Sequence, residues 1–166
     1  MQLFNFAGNT QPNCTILFRT RRIRRSLCGV WCLERRDNCD KLIEALGVSR
    51  DVYNERYSIG CHLTIESEGG NDVVFMRGTE DYLAETEIFE LSKPFNEVTM
   101  GIRVKRVAQF SRNVRKFVIK SCGKNLTWRT ELELIEGAVL LQTDYVGVGD
   151  TTVCKLYYLR VDDNEK

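Results

Sequence analysis

At 166 residues with 43% apolar side chains, the chain is long enough for one domain with a single core and too short for two comfortable ones. Its 24 basic and 23 acidic residues cancel to +1, yet the first 27 residues hold five Arg and no acid, leaving 19 basic against 23 acidic residues beyond them. No apolar run approaches the ~18 residues that cross a bilayer as a helix, so a soluble chain is expected.

Residues 1–26 read as a basic arm. Its longest aliphatic cluster, Ile16 to Phe18, falls far short of the roughly 7–15-residue apolar segment of a secretory signal, so export by that route is not expected and the Asn13-Cys14-Thr15 pattern is idle. The acid-free Arg19 to Arg25 run fits a disordered solvated tail, a mitochondrial presequence, a nuclear-import patch or a segment drawn to anionic membranes. Nucleic-acid binding is the weaker reading, since five Arg attract phosphate but bring no aromatic surface or base-reading fold. Cytoplasm and nucleus are the expected addresses, with the mitochondrion open.

Leu27 to Val48 reads as strand, turn and helix. Gly29 and Trp31 open a short apolar strand, Asp37 or Asn38 caps a helix carrying Leu42, Ile43, Ala45 and Leu46, and Gly47 ends it. A second helical segment spans Arg50 to Tyr57, with Ser49 or Asp51 near its start. Thereafter turn signals recur about every ten residues between runs rich in β-branched and aromatic residues: HLTIE, DVVFM, TEIFEL, IRVKRVAQF, VRKFVIK, LTWRTELELI, AVLLQTDY and TTVCKLYYLRV. An early helical segment on such a chain is a cap or lid.

Alternation is clearest from Leu126 to Ile135, with Leu126, Trp128, Thr130, Leu132 and Leu134 on one face and Thr127, Arg129, Glu131 and Glu133 on the other. The Ile102 to Phe110 run places Arg106 among Ile102, Val104, Ala108 and Phe110. A mixed face of this kind fits a sheet closed around a cavity, and a meander closed into a barrel is predicted.

Motifs for chemistry are mostly negative. His62 is the only histidine, and its neighbour Cys61 points to the opposite strand face, so no Cys/His nucleophile pair forms there. Seven cysteines without a C-x-x-C pair favour free thiols in a reducing compartment over a disulfide framework or structural zinc. The glycines at 69–70 and 147–149 lack the strand-to-helix setting of phosphate loops. No catalytic residue, metal or cofactor is expected.

The Leu27-x-Gly29-x-Trp31 opening, the Asp37-Asn38-x-Asp40 turn and the Ala45-Leu46-Gly47-Val48 helix end resemble the first strand and helix of the intracellular lipid-binding proteins, the fatty-acid- and retinoid-binding group. Leu63 to Ile65 and Asp72 to Met76 resemble the second and third strands of that family. Glu85-Thr86-Glu87-Ile88 is similar to its N-T-E-I, Phe95 to Thr99 to its F-D-E-x-T, and Phe117 to Lys124 to a strand and turn ending in W-D-G-K, with Ser121 and Cys122 departing from it. The resemblance covers Leu27 to about Arg160. It implies a ten-stranded antiparallel up-and-down β-barrel, residues 27–166, with a two-helix lid after the first strand. It implies a monomeric, non-enzymatic carrier of a long-chain fatty acid or similar hydrophobic molecule, with transient membrane contact or delivery to a nuclear receptor.

The resemblance also implies ligand-binding residues. Its Arg-x-Tyr on the last strand matches Lys155-Leu156-Tyr157, and Lys keeps the charge without the two-pronged fork. The family's second Arg falls at Thr130 or Leu132, Arg103 matches an Arg near the cavity while Gly101 replaces an Asp, and Leu83 lies near the portal, gating entry or packing beneath the lid. About fifteen buried methylenes contribute on the order of 12 kcal/mol gross. A charge-assisted hydrogen bond adds roughly 1.5–3 kcal/mol. Losing one head-group partner therefore retunes binding without ending it, and a retinol-like alcohol or an acyl amide becomes an alternative ligand. The rival functions are a filled-barrel protein-interaction module and a membrane or nucleic-acid adaptor acting through the arm.

Overall fold

In a computed structural model, the described residues are 26–67, 71–79, 81–111, 115–136, 138–147 and 149–161. All but residue 26 of the basic arm lies outside them, and with it the targeting and adaptor readings.

Strand β1 (Gly29–Asp37) leads into helices α1 (Cys39–Leu46) and α2 (Arg50–Tyr57), followed by β2 (His62–Glu66), β3 (Asp72–Gly78), β4 (Leu83–Glu90), β5 (Phe95–Thr99), β6 (Ile102–Ser111), β7 (Lys116–Cys122), β8 (Thr127–Ile135), β9 (Val139–Val146) and β10 (Thr152–Arg160). They form one antiparallel sheet in the order β4-β3-β2-β1-β10-β9-β8-β7-β6-β5. This is the expected ten-stranded β-clam barrel with its lid after the first strand.

The local chemistry explains the ends of these elements. Gly47 takes a left-handed conformation (φ 68°), and its N–H donates to the Ile43 and Glu44 carbonyls, which stops α1. Ser49 Oγ accepts from Val52 N at 3.2 Å and starts α2. Asn38 precedes α1 as expected but caps it through a left-handed backbone (φ 60°) rather than through its side chain. On β1, Arg160 lies over the Trp31 ring at 4.3 Å, and a Cβ on Gly29 would stand 2.7 Å from that guanidinium. Gly29 therefore keeps the cover on Trp31 in place. The short strand β5, seen in the sequence only through the resemblance, pairs with β6 across Met100 and Gly101, both at positive φ as a two-residue hairpin turn requires.

The barrel wall has a seam. Strands β4 and β5 stand at the two edges of the sheet, and side chains close the gap between them: Phe89 meets Phe95 at 5.8 Å between ring centroids, and Glu87 pairs with Arg106.

Candidate functional site: the barrel interior

Three strands each turn a charged residue deep into the interior beside apolar neighbours. Arg77 shares its face of β3 with Val73 and Phe75, Glu87 sits beside Phe89 on β4, and Arg106 lies between Val104 and Ala108 on β6; all are almost fully buried. The mixed face of β6 thus faces inward as the alternation suggested, and ion pairing accounts for its arginine. Glu87 accepts from Arg77, from Arg106 and, at 2.7 Å, from Arg56 of lid helix α2. Arg56 also pairs with Glu85 and donates to Thr99 Oγ1 at 2.9 Å, and Arg106 reaches Glu97 at 2.6 Å. Burial pushes the Glu87 carboxyl upward, but Arg56, Arg77 and Arg106 outweigh it and hold it well below the ordinary carboxylate value. Among the described residues, the Nε–H groups of Arg77 and Arg106 have no hydrogen-bond partner.

A second polar group lies across the interior on β8, β9 and β10. Asp144, 0% exposed, accepts from Trp128 Nε1 at 3.1 Å, from Thr130 Oγ1, and from Gln142 Nε2 at 2.8 Å. Tyr158 Oη donates to Gln142 Oε1 at 3.4 Å, and burial raises its phenol further above the ordinary value. Trp128 also lies 6.0 Å from the Arg106 guanidinium, so the two groups form one polar belt.

Past this belt the interior is aromatic. Phe117 packs on Phe75, Phe89 and Phe110 at 5.1–6.0 Å between ring centroids. The void left among Leu27, Ile65, Val73, Phe75, Phe110, Phe117 and Leu132 is about 230 Å³, nowhere wide enough for a water molecule. An open cleft of about 190 Å³ lies between the lid and the barrel, lined by Val52, Glu55, Arg56, Arg77, Ala84, Glu85 and Met100.

The six residues picked from the sequence separate on this frame. Thr130 and Leu132 point inward, Thr130 onto Asp144 and Leu132 into the aromatic end. Arg103 is exposed on the outer face of β6. Leu83 is 58% exposed on the rim, which does not fit packing beneath the lid. Lys155 is exposed on the outer face of β10, and Tyr157 lies beneath the Arg35 guanidinium at 3.8 Å. The inward orientation expected of Lys155 and Tyr157 is therefore corrected by one residue: Cys154, Leu156 and Tyr158 face the interior. With that shift, the Arg-x-Tyr pattern falls on Leu156-x-Tyr158, and the cation is gone.

Sequence reasoning missed Arg56, Arg77, Glu87, Arg106, Gln142 and Asp144. A signal was present for the strand residues, because each shares its strand parity with large apolar neighbours. Among the described residues no cluster of three or more His, Cys, Asp and Glu is arranged to hold a metal, and no helix is long and apolar enough to cross a membrane.

No protein-family model matches the sequence, and no curated protein matches it. Solved structures do match. Fatty-acid-binding protein 1 of Echinococcus granulosus superposes with a TM-score of 0.70 at 22% identity, covering 83% of this chain and 99% of that one. A Schistosoma mansoni fatty-acid-binding protein in complex with arachidonic acid gives 0.68 at 22% identity over 82% and 97% of the two chains. Lipid binding protein 8 of Caenorhabditis elegans gives 0.68 at 17% identity over 82% and 96%. In strand order, lid and overall superposition, the chain has the fold of the intracellular lipid-binding proteins.

Proposed function

We propose that this protein is a non-enzymatic carrier that takes a long-chain hydrophobic molecule into its barrel, and that it prefers a neutral hydrogen-bonding head, such as a long-chain alcohol or an acyl amide, over a free fatty acid. The observation that carries the preference is the buried charge balance. Arg56, Arg77 and Arg106 already face Glu85, Glu87 and Glu97, and Asp144 adds a further carboxylate where the resemblance implied guanidinium groups. A further buried carboxylate brought by a ligand would find repulsion from those already there, whereas an uncharged oxygen could accept from the Arg77 and Arg106 Nε–H groups. Thr130, Gln142, Asp144 and Tyr158 take the head-group role in this reading, with Leu132 against the chain.

The filled-barrel interaction module is favoured by one observation, the 230 Å³ void. Small-molecule sites leave about 300–1,000 Å³ open to a ligand, whereas this void admits not even a water molecule. The carrier reading therefore requires the Phe75, Phe110 and Phe117 rings to move apart on loading. Native mass spectrometry of the purified protein, with extraction of bound lipid and thermal melts in oleic acid, oleyl alcohol and oleamide, separates the two. The carrier reading expects a co-purified lipid and a melting temperature raised most by the neutral ligands. An empty protein that none of the three stabilises overturns it in favour of the module.

A further inference from the structure

Cys39 is the first residue of α1, and its Sγ lies 3.2 Å from Sγ of Cys154, an inward residue of β10. Tyr53 of α2 donates its hydroxyl to Cys39 Sγ at 3.5 Å and stands 3.6 Å from Cys154 Sγ. Cys39 is partly exposed, while Cys154 is wholly buried behind it. A partly exposed thiol at a helix N-terminus, where backbone N–H groups favour negative charge, thus backs onto a second, wholly buried thiol. The groups that act most strongly on the Cys39 thiol are Cys154, Tyr53, Arg36 and Asp144. The Cys154 hydrogen bond, with help from Tyr53 and Arg36, lowers the Cys39 thiol to about 7 against the opposing effects of burial and Asp144. The Cys154 thiol is raised by its bond to Cys39 and by burial, so it serves as donor rather than thiolate.

We propose that Cys39 and Cys154 are a peroxide-reactive modification site, with Cys39 the thiol that attacks the peroxide and Cys154 the resolving one, whose product is a disulfide joining lid helix α1 to strand β10. The oxidant is a hydroperoxide. The Cys39 thiolate attacks its terminal oxygen, the O–O bond breaks, and the displaced oxygen leaves protonated as water or alcohol, giving a sulfenic acid on Cys39. Cys154 sulfur then attacks Cys39 sulfur, the S–O bond breaks as S–S forms, and the departing hydroxide takes the Cys154 proton as water. Two thiols supply the two electrons that reduce the peroxide. The two sulfurs need only close the gap between contact and bonding distance, roughly 1 Å. The tie would then hold α1 on the barrel by a covalent bond spanning most of the domain. This site does not depend on what the barrel carries.

The test is graded hydrogen peroxide on the whole reduced protein, followed by alkylation, intact mass and non-reducing peptide mapping, with exposed Cys122 as the internal comparison. The proposal expects a product lighter by about 2 Da before alkylation that then takes up two fewer alkyl groups than the reduced protein, a Cys39–Cys154 linked peptide before Cys122 is modified, and a higher melting temperature that dithiothreitol reverses. In Cys39→Ser that gain disappears, and in Cys154→Ser a dimedone-trappable sulfenic acid accumulates on Cys39. Cys39 driven to sulfinic acid while Cys154 still alkylates, or Cys122 oxidised with Cys39 untouched, overturns the proposal. Because the wild-type map decides the question, failure of either variant to fold leaves the test intact.

Discussion

Arg56 of the lid donates to Glu87 of β4 at 2.7 Å, and the same carboxylate holds Arg77 of β3 and Arg106 of β6. One buried side chain therefore joins the lid to both sides of the seam between β4 and β5. Removing a partner from such a group costs more than the group contributes, because charges stay behind without water.

Glu87→Gln is expected to destabilise the fold by about 3–5 kcal/mol at pH 7, since three buried guanidinium groups lose their shared carboxylate. The acid limb carries the same signature. The folded Glu87 carboxyl is depressed below its unfolded value of about 4.3, so its contribution is complete above that pH and is lost as pH falls toward the folded value. Urea unfolding at pH 7 and pH 3.5 should show wild-type stability dropping between them. The variant should drop less, by up to about 1.4 kcal/mol per pH unit for the one missing carboxyl. An equal drop in both proteins would remove Glu87 from the account.

Lys155 and Leu156 should respond oppositely to truncation. Lys155 is exposed, so Lys155→Ala should change stability by less than about 0.5 kcal/mol and leave the affinities for oleic acid and oleyl alcohol alike. Leu156 is 0% exposed in the core, so Leu156→Ala should cost about 2–5 kcal/mol. Denaturant melts and a fluorescent-lipid displacement assay check both. Selective loss of fatty-acid binding in Lys155→Ala would restore the inward register.

The contrast between those neighbours marks where the sequence was legible and where it was not. On β8, apolar and charged residues alternate cleanly, and Trp128, Thr130 and Leu132 face inward as read. On β10 both parities carry a tyrosine and an apolar residue, so alternation could not choose between Lys155 and Leu156. The bulge in β1 between Leu33 and Arg35, opposite Tyr157 and Tyr158, interrupts the pairing at that point. Strand β4 inverts the usual pattern at one step, with Glu87 inside and Ile88 62% exposed. Such an exchange is stable only because Arg56, Arg77 and Arg106 converge from α2, β3 and β6, and that convergence is a property of the closed barrel. Gly47 and Ser49, by contrast, act within one turn of chain, which is why both helix ends were readable.

Asp144 is expected to set the head-group preference. A ligand carboxylate about 8 Å from it would be repelled by about 2 kcal/mol at an effective dielectric of ~20. Asp144→Asn removes that charge and keeps an acceptor for Trp128 and Thr130, while the Gln142 amide can turn to receive the new N–H group. The ratio of oleic acid to oleyl alcohol affinity should rise at least tenfold in the variant. Calorimetric titration of both ligands against both proteins measures it. An unchanged ratio would mean that Asp144 only holds β8 and β9 together.

Cys39 should alkylate as a thiolate at unusually low pH. The thiolate is the reacting form, and the hydrogen bonds from Cys154 and Tyr53 together with Arg36 bring this thiol to about 7, against an ordinary value near 8.5. The iodoacetamide labelling rate at Cys39, followed by peptide mapping, should therefore rise through an inflection near pH 7 and level off above it. Tyr53→Phe removes one donor, and Arg36→Met removes a positive charge that also holds Asn54 Oδ1 and the Tyr57 carbonyl at 2.8 Å each. Both substitutions should move the inflection upward, and Cys154→Ser should move it least if the hydroxyl replaces the thiol as donor. An inflection at the ordinary thiol value in the wild-type protein would show that the hydrogen bonds to Cys39 do not persist in solution.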